Sequence, residues 1–206
     1  MPLTRSLPVL LGLGLSLLTG AEIAQAETVV NKSVRYYAVG GKTTAEIDRE
    51  LSRHGPMTKS TGSRHPGTTE IRFGGEISFA DEGGRCRVRA VKVIVSTKIT
   101  LPRWTNRNQA SRDMGLLWDT LAADIKRHEE RHAEIARNHA RTLEARLSGL
   151  TSARTCAALQ AKASEITEKT SAEHDADQAR FDRVEAANFQ KRLGRLLQVR
   201  IERARK

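Results

Sequence analysis

The stretch LWDTLAADIKRHEERHAEIARNHARTLEARL, residues 117–147, decides the fold class of this chain. Large apolar residues recur along it at helical spacing: Leu117, Leu121, Ile125, Ile135, Leu143 and Leu147. A period of 3.6 residues predicts an amphipathic helix, which we place from about residue 110 to residue 147. A second helical region follows from about residue 151, and Gly149 marks the break, as glycine commonly does after a helix.

The residues before this helix carry the composition and the turn residues of β-strands. The first strand pattern covers Thr28–Val39, and a short helix begins at the Thr43 cap and ends before Gly55. Three further patterns follow, at residues 69–73, 76–80 and 85–101, with a Gly-Gly break between the first two, and Pro102 is expected to close the last one. The apolar phase of that strand shifts by one residue near Ala90, which predicts a β-bulge.

These patterns predict an α+β fold: a small antiparallel sheet followed by a long antiparallel helix pair. About 180 residues remain after the leader described next, which is the length of one domain. We therefore expect a single domain over 27–206, with a β-rich part at 27–102 and a helical part at 103–206.

The first 26 residues have the features of a cleavable signal peptide. Arg5 supplies a basic start, Leu7 to Leu18 form an apolar run, and Ala24-Gln25-Ala26 offers a small-x-small cleavage site. The run is shorter than the roughly 20 apolar residues of a membrane helix, so a retained anchor is the weaker interpretation. We expect cleavage after Ala26 and a mature protein in the periplasm or outside the cell.

The two cysteines, Cys86 and Cys156, are the only pair in the chain. An oxidising compartment would favour joining them in a disulfide, and the alternative is two buried free thiols.

The formal net charge of +11 permits attraction to nucleic acid, anionic lipid or acidic cell-wall polymers, and it specifies none of them. Basic residues are densest from Lys191 to Lys206. Apolar residues recur at helical spacing within that run, so we interpret its charges as the solvated face of an amphipathic helix. We expect no specific nucleic-acid partner, and an anionic envelope surface as a possible one.

The helix of residues 117–147 carries one motif with a chemical meaning, His128-Glu129-Glu130-Arg131-His132. Residues four apart lie above one another on a helix, so both imidazoles can reach a single zinc ion. Glu129 would then act as a general base on the zinc-bound water of a metallopeptidase. The alternatives are a pair of hydrogen-bonded core histidines or a solvent-facing stretch of a charged helix.

A catalytic zinc ion usually has three protein ligands, and the third is not evident here. His139 shares the face of His132, but a straight helix places it about 10.5 Å further along the axis, too far for the same ion. The second helical region offers four candidates: His174, Asp175, Asp182 and Glu185. His54 and His65 lie in loop-like contexts and are expected at the surface.

The chain resembles a family of predicted secreted bacterial zinc-dependent proteases. The resemblance covers nearly the whole mature chain, from about residue 28 to residue 189. It rests on Tyr36-Tyr37 before Gly40, the helix of residues 43–51, Leu101-Pro102-Arg103-Trp104, Trp118, the motif of residues 128–132 and the pair Cys86 and Cys156. Relatives carry a Tyr-Asp pair followed by Thr-x-His-Gly near the end. Here that stretch reads Phe181-Asp182-Arg183-Val184-Glu185-Ala186-Ala187-Asn188, which keeps the Asp and lacks the His-Gly.

The leading hypothesis is a secreted or periplasmic zinc metallopeptidase that acts on a peptide or protein, with His128 and His132 on Zn²⁺ and Glu129 as the base. The alternative is a non-catalytic envelope protein with a remnant metal site and a basic surface that binds an acidic partner.

Overall fold

The computed structural model describes residues 25–58 and 62–205. Its elements in chain order are β1 (Gln25–Val39), α1 (Thr44–His54), β2 (Thr68–Glu82), β3 (Arg85–Trp104), α2 (Arg112–Ser148) and α3 (Cys156–Arg205), with a short 3-10 turn before α2. The α+β class and the order of strands before helices are confirmed. The leader up to residue 24 lies outside the described residues, and β1 begins at Gln25, two residues before the expected mature start.

The three strands form one sheet in the order β1-β3-β2. Strands β2 and β3 pair antiparallel as expected, but β1 pairs parallel to β3, so the prediction of an antiparallel sheet is wrong for this pair. The chain leaves β1, passes through α1 and returns as β2 in the opposite direction. The β2–β3 hairpin then reverses it again, and β3 enters the sheet between the other two strands, parallel to β1.

The bulge expected near Ala90 is confirmed. Ser78 pairs with Ala90 and Phe79 pairs with Val88, so Arg89 is the extra residue of β3. The strand also continues through Pro102 to Trp104, contrary to the prediction that Pro102 closes it. The pairing between β2 and β3 begins at Thr100, so Pro102 lies beyond it and interrupts no hydrogen bond to β2.

Helices α2 and α3 form the expected antiparallel pair, and α2 packs across one face of the sheet. Small residues of α2, among them Ala136 and Ala140, let the helix approach the valine row of β3 closely. The main core cluster therefore joins α2, β3 and the first half of α3. A second cluster joins Trp104 and Trp118 at the end of the sheet that α1 covers.

The predicted disulfide between Cys86 and Cys156 is confirmed, and it joins the start of β3 to the first residue of α3. Cys86 also exchanges two backbone hydrogen bonds of 2.9 Å with Ala153. Within residues 25–58 and 62–205, no helix combines the length and the apolar character that crossing a membrane would need.

Candidate metal centre

His128 and His132 lie one turn apart in the middle of α2, on the side that faces α3. Their Nε2 atoms are 3.0 Å apart, and neither side chain is fully exposed. Burial, together with the neighbouring His132, holds the pKa of His128 below its usual value. The neutral form of His128 is therefore favoured at pH 7, and this is the form that binds a metal.

Asp182 of α3 brings a carboxylate to the same point. Its Oδ1 lies 3.0 Å from Nε2 of His132 and 3.4 Å from Nε2 of His128. The ligands of a tetrahedral zinc ion with bonds of about 2.0–2.1 Å are separated by roughly 3.3 Å. Within the described part of the chain, His128, His132 and Asp182 form a group of three possible metal ligands whose ligand atoms all lie within 4.8 Å of one another. The chemistry and the spacing of this set fit a zinc ion.

Gln178 of α3 fixes the orientation of His132. Its Oε1 lies 2.5 Å from Nδ1 of His132, and its Nε2 donates to the backbone carbonyl of the same residue at 3.1 Å. A carbonyl oxygen can only accept, so this contact keeps the proton of His132 on Nδ1. The lone pair of Nε2 then points toward His128 and Asp182, as a metal ligand requires.

Glu185 stands in the corresponding position for His128, with Oε2 3.6 Å from Nδ1. It also pairs with Arg127 and, at 3.3 Å, with Arg192. Burial would raise the pKa of Glu185, but these two guanidinium groups outweigh it and hold the pKa below its usual value. An ionised carboxylate behind a ligating histidine is a common feature of zinc sites.

Glu129 is 4% exposed and lies between α2 and the start of β2. Thr69 donates to its Oε2 at 2.8 Å and also to its backbone carbonyl at 3.0 Å. Burial raises the pKa of Glu129. This environment is typical of a carboxylate that exchanges a proton, because it brings the pKa closer to neutrality.

These side chains open onto one cleft of about 620 Å³ between α2, α3 and the start of β2. Phe181 stacks on His128 with ring centroids 5.0 Å apart and meets the edge of His132 at 5.1 Å. His65, expected at the surface, instead is half-buried and lines this cleft together with Pro66 and Gly67. The loop before β2 folds back over α2, and no local pattern in the sequence signals that approach.

The remaining candidate ligands lie away from this point or serve other roles. His174 is buried, contacts Gln178 at 2.9 Å through Nε2, and meets Asp175 at 2.9 Å through Nδ1. Asp175 points to solvent apart from that contact. His139 pairs with Asp177 at 3.0 Å and is not part of this group, as its distance along the helix predicts. Of the four predicted candidates for the third ligand, the structure brings Asp182 to the two histidines.

No curated protein and no solved structure is significantly similar to the chain. Residues 34–190 match a family described as bacterial proteins of unknown function, which assigns no reaction. This range contains the histidine pair, Glu129, Asp182 and the residues that orient them. The chain therefore belongs to the DUF922 family of bacterial proteins.

Proposed function

We propose that this protein is a zinc-dependent peptidase that acts outside the cytoplasm. The observation that carries the proposal is the convergence of His128, His132 and Asp182 beside the buried carboxylate of Glu129, in a cleft open to a substrate. Three protein ligands with an adjacent glutamate is the composition of a catalytic zinc site rather than of a structural one, which has four protein ligands.

A zinc ion at this position would polarise the scissile carbonyl and lower the pKa of the attacking water. Residues of the chain would transfer the proton and orient the ligands. Glu129 would accept the proton of the water and later deliver it to the leaving amine, while Thr69 keeps one of its oxygens fixed. Gln178 and Glu185 would hold the two imidazoles in the ligating orientation.

Two features support work in the periplasm or outside the cell. The disulfide between Cys86 and Cys156 is of the kind that persists in oxidising compartments. The apolar leader expected at residues 1–26 would direct export. The motif of residues 128–132 points to a peptide or protein substrate.

The test measures zinc and hydrolysis in the same preparations. We expect one zinc ion per chain, lost in His128→Ala, and cleavage of an unfolded protein such as casein. Glu129→Gln is expected to keep its zinc and to lose activity by a factor of about 10²–10⁴, the usual contribution of a general base. Glu130→Gln is the matched control, because Glu130 points away from the cleft and pairs with Lys32.

The third ligand is tested by Asp182→Ala beside Asp175→Ala. Loss of a residue that only orients a ligand typically costs roughly 10–100-fold in metal affinity. Asp182→Ala should lose more zinc affinity than that, and Asp175→Ala should lose little. Stoichiometric zinc with full activity in Glu129→Gln would contradict the mechanism. No zinc in the wild-type protein would favour the alternative, a non-catalytic envelope protein with a remnant site.

A further inference from the structure

Helix α3 continues for four turns beyond the part of the chain that matches the family. The match ends at residue 190, and the helix runs to Arg205. Residues 191–206 contain seven lysines and arginines and one glutamate, which gives +6 of the net charge of +11. We call residues 191–205 the basic segment. The three candidate ligand residues precede this segment, and Arg192 is its basic residue that lines the cleft.

One side of the basic segment is occupied by α2. Leu193, Leu197 and Ile201 are half-buried. Arg192 pairs with Asp124, and Arg112 of the first turn of α2 donates to the carbonyl of Ala204 near the other end. The segment is therefore held along the N-terminal turns of α2 and forms a fixed surface about 21 Å long.

The other side is open and combines charge with apolar side chains. Leu196 and Val199 are 39% and 43% exposed, although both are large hydrophobic residues. The exposed charged residues around them on the same helix are four basic ones, Lys191, Arg195, Arg203 and Arg205, and one acid, Glu202. Arg195, Leu196, Val199 and Arg203 recur at spacings of three and four, so these four side chains share a face.

We propose that the basic segment binds the surface of an anionic phospholipid membrane. Basic groups on a helix are attracted to acidic headgroups. Exposed leucine and valine side chains strengthen binding further, because they leave water when they enter the interfacial region of the membrane. A nucleic-acid backbone would attract the basic side chains but would not bury the two apolar ones. A lipid surface does both, so it fits the segment better. The zinc site of the proposed peptidase precedes the segment in the sequence. On that proposal, it would work next to a membrane surface.

The experiment measures how much of the protein sediments with lipid vesicles. The sample is the protein as purified from its native host. Vesicles of phosphatidylcholine alone are compared with vesicles that contain phosphatidylglycerol, each at low and at high salt. The charge variant is Arg195→Gln, Arg203→Gln and Arg205→Gln together. The matched control removes three exposed positive charges elsewhere, by Arg141→Gln, Lys162→Gln and Lys169→Gln. Leu196→Ser with Val199→Ser tests the apolar contribution.

We expect binding to the anionic vesicles only, weakened by salt. Each basic residue near a membrane strengthens binding about fivefold, so the charge variant should bind about a hundredfold more weakly. The control should bind nearly as well as wild type, and the apolar variant about tenfold more weakly. Circular dichroism checks the helix, and Arg195→Gln alone, with a fivefold effect, replaces the triple variant if helix is lost.

Three results would overturn the proposal. One is equal binding of the charge variant and wild type. Another is an equal loss in the charge variant and in the control, which would mean that net charge alone is responsible. The third is binding to a DNA duplex that is tighter than binding to the vesicles at the same salt, with the same dependence on the basic segment.

Discussion

The carboxylate of Glu129 lies against Gly67, in a space that a side chain at residue 67 would occupy. A β-carbon built on Gly67 would be 2.7 Å from Oε1 of Glu129 and 2.8 Å from a methyl group of Ile125. Thr69 holds the other oxygen, Oε2, at 2.8 Å. Two residues of the segment that enters β2 thus define where the buried carboxylate can lie, and neither belongs to the motif on α2.

Gly67→Ala is expected to displace Glu129 without touching the metal ligands. Turnover should fall at least about tenfold while zinc content stays at the wild-type level, and overpacking should lower the free energy of unfolding by about 1–3 kcal/mol. Activity, zinc content and urea unfolding are measured on the same variant. Gly74→Ala is the control, because a β-carbon there meets nothing within 4 Å. Wild-type turnover in Gly67→Ala would show that the position of Glu129 is not critical.

The sequence predicted the residues of the candidate site that depend on local spacing. Of those that depend on the register between elements, it offered Asp182 and Glu185 among four candidates and missed Gln178 and Thr69. His128, Glu129 and His132 follow from the helical period alone. Asp182 could not be separated from the other acids of α3, because a sequence pattern does not say which turn of α3 faces which turn of α2. At 56% side-chain exposure, Asp182 also resembles an ordinary solvated aspartate.

At the scale of the elements, a charge cluster sets the register of α2 against α3 next to the cleft. Asp124 of α2 is 4% exposed and accepts from Arg192 at 3.0 and 3.1 Å and from Arg127 at 3.0 Å. Burial would raise the pKa of Asp124, but the two guanidinium groups outweigh it and lower the pKa. Helical periodicity predicts that two helices pair, whereas such specific partners determine how far one is shifted along the other.

The lowered pKa of Asp124 predicts how stability depends on pH. A carboxyl group whose pKa is lower in the folded protein stabilises the fold above its unfolded pKa of about 3.9. That contribution is lost as the pH falls through the folded value. Asp124→Asn should therefore unfold about 3 kcal/mol more easily than wild type at pH 7, and the difference should shrink below pH 4.

Urea unfolding at several pH values measures this difference. Asp48→Asn, at an exposed position of α1, is the control and should match wild type throughout. A difference between Asp124→Asn and wild type that persists undiminished at pH 3 would mean that packing, not charge, accounts for the effect of Asp124.

At the scale of the whole molecule, helix α3 carries two linkages that lie far apart along its axis. The disulfide holds the start of α3 to β3, and the candidate site lies about 39 Å further along the helix axis, at Asp182. The cysteine pair was predictable because the chain has no other cysteine. The parallel pairing of β1 was not, since the alternation of apolar residues is the same in parallel and antiparallel strands and only the path of the chain decides between them.

Because the disulfide and the candidate site are far apart, stability and metal binding should respond separately to loss of the disulfide. A bond that closes a loop of 70 residues stabilises the fold by about 4 kcal/mol in the chain-entropy model. Reduction of the wild-type protein should therefore lower the free energy of unfolding by about that amount. Cys86→Ala with Cys156→Ala should cost somewhat more, because Cys86 is fully buried and its sulfur also packs.

Zinc affinity is measured by competition with a chelator, at a temperature where the protein stays folded. It should change less than threefold in the reduced wild-type protein and in the double cysteine variant. The contacts that place Asp182 opposite the histidines come from the middle of the helix pair: Gln178 on one side, and Glu185 with its two arginines on the other. A large loss of zinc affinity in the reduced, still folded protein would contradict this account. It would mean that the register of α3 is set from its disulfide-bonded end rather than by the charges beside the cleft.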